Sequence, residues 1–124
     1  MTRYLWIGLG GCLGAIARYL LVGWAAQRWG TTFPYGTLLV NVSGSFLLCF
    51  LAEVLSTRLA LYPTLRLALT VGFLGAYTTF STFSYEWLQL AQDGNGWQSL
   101  GYLLGSVLGG GLAGLLGLLL GRGL

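Results

Sequence analysis

Four long apolar stretches fill almost the whole chain, and they constrain its fold more than any other feature. They run from about Tyr4 to Ala26, Tyr35 to Leu55, Leu65 to Leu90 and Trp97 to Leu120. Each reaches the roughly 20 residues that a helix needs to cross the hydrocarbon core of a bilayer. Short polar connectors separate them. The sequence therefore predicts an all-α membrane protein, with one transmembrane domain over residues 1–124 and four membrane-spanning helices.

The charge content argues against a soluble protein. The chain has 124 residues with six basic side chains, three acidic ones and no histidine, and 56% of its residues are apolar. A soluble domain carries about 25% charged residues, whereas this chain carries 7%. Lipid is therefore its expected solvent, and a nucleic-acid partner is excluded. Without histidine, paired carboxylates or a phosphate-binding glycine motif, we expect no enzymatic activity.

The third stretch contains a polar run that is unusual for a helix facing lipid. Five hydroxyl residues lie within the seven positions from Thr78 to Ser84, directly after Gly72 and Gly75. Hydroxyl groups that bond back to carbonyl groups of their own helix explain one or two of them. A cluster beside glycines favours an interrupted helix, whose freed backbone groups must be buried, line water or coordinate an ion. We expect the third helix to be broken near its middle.

The other three stretches also contribute hydrogen-bond donors. Arg18 lies in the first, Asn41 in the second, and Tyr102 and Ser106 share one face of the fourth. A charge is costly in hydrocarbon, so Arg18 is expected to face a water-filled vestibule. For one such group alone, a helix–helix hydrogen bond is the simpler interpretation. Donors on all four stretches favour a path for an anion.

Two further patterns leave alternatives open. Phe80 and Phe83 are neighbours on one helix face, where their positive ring edges could contact an anion, although core or lipid packing is the simpler interpretation. Glycines recur at four-residue spacing at Gly10 and Gly14, and at Gly101, Gly105 and Gly109. Such spacing lets helices approach closely, either within one subunit or across a dimer interface.

Three motifs, taken together, resemble the Fluc (CrcB) family of fluoride channels. They are Gly10-Gly11-x-x-Gly14-Ala15-x-x-Arg18-Tyr19, Gly36-Thr37-Leu38-x-Val40-Asn41-x-x-Gly44 and Gly75-x-x-Thr78-Thr79-Phe80-Ser81-Thr82-Phe83. With chain length and four spans, the resemblance covers nearly the whole chain. It implies a multi-pass channel of the bacterial inner (plasma) membrane that exports fluoride passively and gives fluoride resistance.

The resemblance also implies an antiparallel, dual-topology homodimer with two pores. A structural sodium ion at the dimer centre would be held by the backbone carbonyl groups of Gly75 and Thr78 from both subunits. The positions that match the family's fluoride pore are Arg18, Thr37, Asn41, Thr79, Phe80, Phe83, Tyr102 and Ser106. Glu86 matches an acidic residue just beyond the phenylalanines, and its role stays open.

Some positions depart from the family's pattern. Ala76-Tyr77 stands where the family commonly has glycine and a smaller or apolar residue. The backbone path at the break is therefore open. Gly110 stands where a second hydroxyl of the fourth-helix polar track is often found, so the track is expected to be shorter here.

The arginines favour a single orientation. Four fall on one side of the four spans and one on the other, namely Arg3, Arg58, Arg66 and Arg122 against Arg28. The positive-inside rule then places both termini in the cytoplasm. Because an antiparallel homodimer needs both orientations, a heterodimer with a paired subunit is the alternative assembly.

Two other functions are alternatives to a fluoride channel. A proton-coupled subunit like the small multidrug exporters also has four spans, but it needs an embedded carboxylate where this first span has Arg18. A membrane scaffold without a pore would need neither a broken helix nor donors on four spans.

Overall fold

The computed structural model describes residues 1–57 and 62–123, and within that part the chain is helical with no β-strand. In chain order the elements are α1 (Thr2–Trp29), α2 (Tyr35–Thr57), α3 (Pro63–Leu67), a π-helical segment (Ala68–Leu74), α4 (Gly75–Tyr77), α5 (Phe80–Gln92) and α6 (Gly96–Gly123). Three of these, α1, α2 and α6, are long and apolar enough to cross a membrane. They match the first, second and fourth predicted spans to within a few residues.

The third predicted span consists of two half-helices. The first half runs from α3 through the π-helical segment to α4, and the second half is α5. Between them Thr78 (φ −88°, ψ 157°) and Thr79 (φ −152°, ψ 121°) are extended. The helix is therefore broken, as the sequence predicts. The helical backbone continues through Gly72, Gly75 and Ala76-Tyr77, and the break comes at the two threonines.

Closely approaching backbones hold α1 against the first half of the broken span. A Cβ on Gly10 would meet the carbonyl oxygen of Ala68, and a Cβ on Gly14 would meet that of Phe73. These two glycines therefore serve packing within one subunit. In lipid, where burial of apolar surface supplies no drive, such small residues allow the close contact that joins helices.

The second main contact runs along α2 and α6. Gly117 and Gly121 of α6 lie against the backbone of α2. A Cβ on Gly117 would meet Phe46 O, and a Cβ on Gly121 would lie 3.1 Å from Phe50 O. Near the ends of the two helices, Arg122 Nε lies 3.3 Å from Glu53 Oε1.

The two glycines nearest the start of α6, Gly101 and Gly105, do not take part in this packing. No described atom of another element lies within 4 Å of a Cβ built on either of them, whereas a Cβ on Gly109 would contact Val42 of α2 at 3.4 Å. The surface of α6 at Gly101 and Gly105 is exposed in the single chain. Arg58, one of the arginines behind the predicted orientation, lies outside the described residues.

Candidate functional site

The side chain of Asn41 bridges the break in the third span. Its Nδ2 donates to Thr79 O at 2.9 Å, and Thr79 N donates to its Oδ1 at 2.8 Å. A backbone that leaves its helix in hydrocarbon cannot turn to water for hydrogen bonds. The amide of Asn41 supplies both bonds instead. Asn41, predicted as a pore donor, thus directs its donor and its acceptor at the backbone of the break.

Arg18 contacts the end of the first half-helix. Its Nε donates to Ala76 O at 3.0 Å. This carbonyl is among the last four of its helix, which no helical N–H reaches, and a cation there also complements the helix dipole. The sequence predicts a vestibule around Arg18. The structure places Arg18 on the wall of a cleft of about 720 Å³, together with Thr37 and Thr82.

Thr79 begins the second half-helix. Its Oγ1 accepts a hydrogen bond from Thr82 N at 3.2 Å, which makes Thr79 the N-cap residue of α5. The cap sets where α5 starts and therefore where Phe80 and Phe83 project. Their ring centroids are 5.9 Å apart, so they are neighbours as their spacing predicts. Phe83 is 5% exposed, whereas Phe80 is 78% exposed in the single chain.

Tyr102 of α6 is fully buried between two other rings. Phe83 and Phe33 each meet it edge to face, with centroids 5.1 and 5.4 Å away and interplanar angles of 69° and 76°. Its hydroxyl donates to Glu86 Oε1 at 2.9 Å. The structure therefore brings Phe83 and Tyr102 together and adds Glu86 and Phe33 to the predicted site. Glu86 had no assigned role, and Phe33 lies in the α1–α2 connector, where no periodic pattern singles it out.

One buried hydroxyl, Ser106 Oγ, has no hydrogen-bond partner among the described residues. Leaving such a group unsatisfied costs about 1–3 kcal/mol, so it points to a ligand, a water molecule or a partner group. A second buried hydroxyl, Thr37 Oγ1, meets no strict hydrogen-bond geometry but lies beside the Glu86 carboxyl and the Tyr102 hydroxyl. Thr37 lines the cleft beside Arg18 and also a second cleft of about 220 Å³, which Phe33 and Glu86 line as well. The side chain of Thr37 therefore lies between the two clefts.

The break also frees carbonyl groups, among them those of Gly75 and Thr78. In an unbroken helix Gly75 O would accept from Thr79 N, and Thr78 O would accept from Thr82 N. Thr79 N donates to Asn41 instead, and Thr82 N donates to Thr79 Oγ1. Unwound backbone carbonyls of this kind are ligands that sodium takes inside membrane proteins. The carbonyl oxygens of Gly75 and Thr78 are therefore of the chemical kind that could hold the cation predicted for these positions.

The fold and the site define a class of protein: a multi-pass, all-helical membrane protein with one discontinuous helix, whose break is bordered by amide, hydroxyl and guanidinium donors. The model of the family described as CrcB-like protein, Camphor Resistance (CrcB), matches residues 5–118. The chain belongs to this family.

Curated relatives extend the match over almost the full length. The chain is 49% identical over 120 residues to the fluoride-specific ion channel FluC of Acidobacterium capsulatum, covering 97% of this chain and 96% of that protein. It is 47% identical over 122 residues to FluC of Chloroflexus aurantiacus, covering 98% and 97%. FluC 2 of Moorella thermoacetica is 50% identical over 114 residues, which cover 92% of this chain and 92% of that protein. These matches confirm the resemblance carried by the three motifs.

Proposed function

We propose that this chain forms a fluoride-selective channel through which fluoride leaves a bacterial cell passively across the inner membrane, which gives fluoride resistance. The observation that carries the proposal is its identity of about half, over nearly the whole length, to proteins named as fluoride-specific ion channels. The exporter-like and scaffold alternatives have no comparable support.

The proposed fluoride path follows α2, α5 and α6. Fluoride is small and strongly hydrated, so closely spaced donors must replace its water while holding it weakly enough to release it. Hydroxyl groups supply the donors, and the positive edges of phenylalanine rings supply weak contact. The unpartnered hydroxyl of Ser106 supports this assignment, as do the position of the Thr37 hydroxyl beside Tyr102 and the buried contact between Phe83 and Tyr102.

We place two copies of the chain antiparallel in the membrane. Phe80 is 78% exposed beside the break, and an aromatic residue that lines a pore needs protein rather than lipid across from it. A second copy would supply that protein. Antiparallel association would also let the carbonyl groups of Gly75 and Thr78 of both copies hold one sodium ion. When bound, sodium would offset the negative ends of the freed carbonyl dipoles.

Flux from liposomes tests the channel function. Purified protein is reconstituted into liposomes loaded with fluoride and chloride salts, and efflux is followed with electrodes specific for each ion. We expect fluoride efflux without a proton gradient and chloride efflux no faster than from protein-free liposomes. Equal chloride and fluoride efflux would contradict selectivity. Fluoride efflux that required a proton gradient would contradict passive conduction.

A further inference from the structure

Tyr77 is the last helical residue before the break, and α2 contacts both its ring and its hydroxyl. The residue is 9% exposed, and its ring stacks on that of Phe73 with centroids 5.8 Å apart and an interplanar angle of 16°. A Cβ on Gly44 of α2 would lie 3.3 Å from this ring. The Tyr77 hydroxyl lies 2.9 Å from Ser43 Oγ.

The direction of this hydrogen bond follows from the number of protons. Ser43 Oγ donates to Leu39 O, 2.6 Å away, one turn back in its own helix. Either hydroxyl could donate to the other, but the single proton of Ser43 has the carbonyls of Leu39 and Val40 as acceptors, while that of Tyr77 has only Ser43 among the described residues. We therefore take Ser43 as the acceptor and Tyr77 as the donor. The two partners are therefore not equivalent. Without the Ser43 hydroxyl the buried phenol loses its acceptor, whereas without the Tyr77 hydroxyl Ser43 still has a partner.

We infer that the hydrogen bond from Tyr77 to Ser43 is a tether that positions the break, which makes Tyr77 a positioning residue for the ion path. Ser43 holds the residue before the break, and Asn41 of the same helix holds Thr79 after it. The intervening Thr78, whose carbonyl is freed, is thereby held from both sides by one rigid helix. The effect on ion flux rests on the proposed channel function; the effect on the backbone does not.

Hydrogen exchange of the break, measured with fluoride efflux on the same reconstituted protein, tests the tether. The variants are Ser43→Ala, Tyr77→Phe and the double variant. In Ser43→Ala we expect exchange of the peptide that contains Thr79 to rise about fivefold, because a buried hydroxyl is left without an acceptor. Tyr77→Phe should raise exchange less, since it leaves no buried hydroxyl without a hydrogen-bond partner. The double variant should exchange like Tyr77→Phe alone. Fluoride efflux should fall most in Ser43→Ala and less in the other two variants.

Ser45→Ala is the matched control. Ser45 Oγ makes the same back-bond, to Asn41 O at 2.7 Å, without a tyrosine partner. We expect Ser45→Ala to exchange like the wild type. Equal exchange in Ser43→Ala and Ser45→Ala, or additive effects in the double variant, would overturn the tether. If the wild-type protein passed no fluoride, the proposed channel function would be wrong, while the exchange pattern would still test the tether.

Discussion

At the residue scale, side chains from neighbouring helices satisfy the backbone groups that the broken span exposes. Asn41 binds both backbone groups of Thr79, and Arg18 binds Ala76 O. In water, solvent would bond to such exposed backbone groups, but hydrocarbon cannot. The loss of one of these side-chain bonds is therefore not compensated by solvent. The side chains that border the break therefore have a structural part in addition to their predicted position in the pore.

Asn41→Ala should damage both stability and conduction. It leaves the N–H and the carbonyl of Thr79 without partners, so we expect the free energy of unfolding to fall by about 2 kcal/mol or more. Fluoride efflux should fall by roughly tenfold, the factor that corresponds to about 1.4 kcal/mol. Gln98→Ala, at an exposed amide side chain of α6, is the control. Wild-type stability and efflux in Asn41→Ala would refute the bridge.

The two phenylalanines should respond differently to the same change. Phe80→Ile and Phe83→Ile both remove a positive ring edge, so both should lower fluoride efflux while leaving the proposed dimer intact. Within one subunit, Phe83→Ile should also lower the free energy of unfolding, by about 1 kcal/mol, because its ring is buried against Tyr102. Phe46→Ile, in a stacked pair with Phe50 on α2, is the control. Unchanged efflux in both single variants would show that the rings serve packing.

At the scale of elements, the first half of the broken span depends on α1. The glycine contacts place the backbone of α1 against that of the π-helical segment, and Arg18 of the same helix reaches the end of α4. Backbone contact of this kind leaves no space for a side chain between the helices. Helix α1 therefore supports the first half-helix along its length and at its end.

Gly10→Ala and Gly8→Ala form a matched pair on α1. A Cβ on Gly10 would collide with Ala68 O, whereas a Cβ on Gly8 would have no described atom of another element within 4 Å. We expect Gly10→Ala to lower the free energy of unfolding by about 1–3 kcal/mol. Gly8→Ala should raise it by roughly 0.5–1 kcal/mol through helix propensity. Thermal unfolding in detergent measures both, and equal stabilities would contradict the close packing.

At the scale of the whole molecule, the open question is orientation. The arginine count favours cytoplasmic termini, while the proposed homodimer needs subunits in both directions. The charge bias is small, and orientation depends on the charges that flank each span and on span hydrophobicity. We therefore expect a C-terminal tag to be reached by a membrane-impermeant probe from both faces, in cells that express this chain alone.

Arg28→Gln sharpens the orientation test. Arg28 lies exposed in the last turn of α1, on the side that holds a single arginine. Its removal should shift the tag towards the cytoplasm and lower fluoride efflux per protein, because fewer antiparallel pairs form. A wild-type tag found only in the cytoplasm, in protein that still conducts fluoride, would exclude the homodimer and favour a paired heterodimer.

The sequence by itself determined the membrane class, the apolar helices and the presence of a break. Hydropathy over about 20 residues and a cluster of hydroxyls beside glycines are local properties, and they can be read without knowing how the helices pack. The helix α2, for example, was expected over 35–55 and spans Tyr35–Thr57. The contact between Phe80 and Phe83 also follows from spacing alone.

Only the tertiary structure decided where the helix breaks and which side chains hold it there. The sequence left the backbone path at Ala76-Tyr77 open, and the structure shows that the backbone stays helical through Tyr77. The residues that bridge or tether the break lie 34 and 38 positions away in the chain, at Ser43 and Asn41. Which of them meets a freed backbone group depends on the rotation of α2 against the broken span, and that rotation is set by packing rather than by any local pattern.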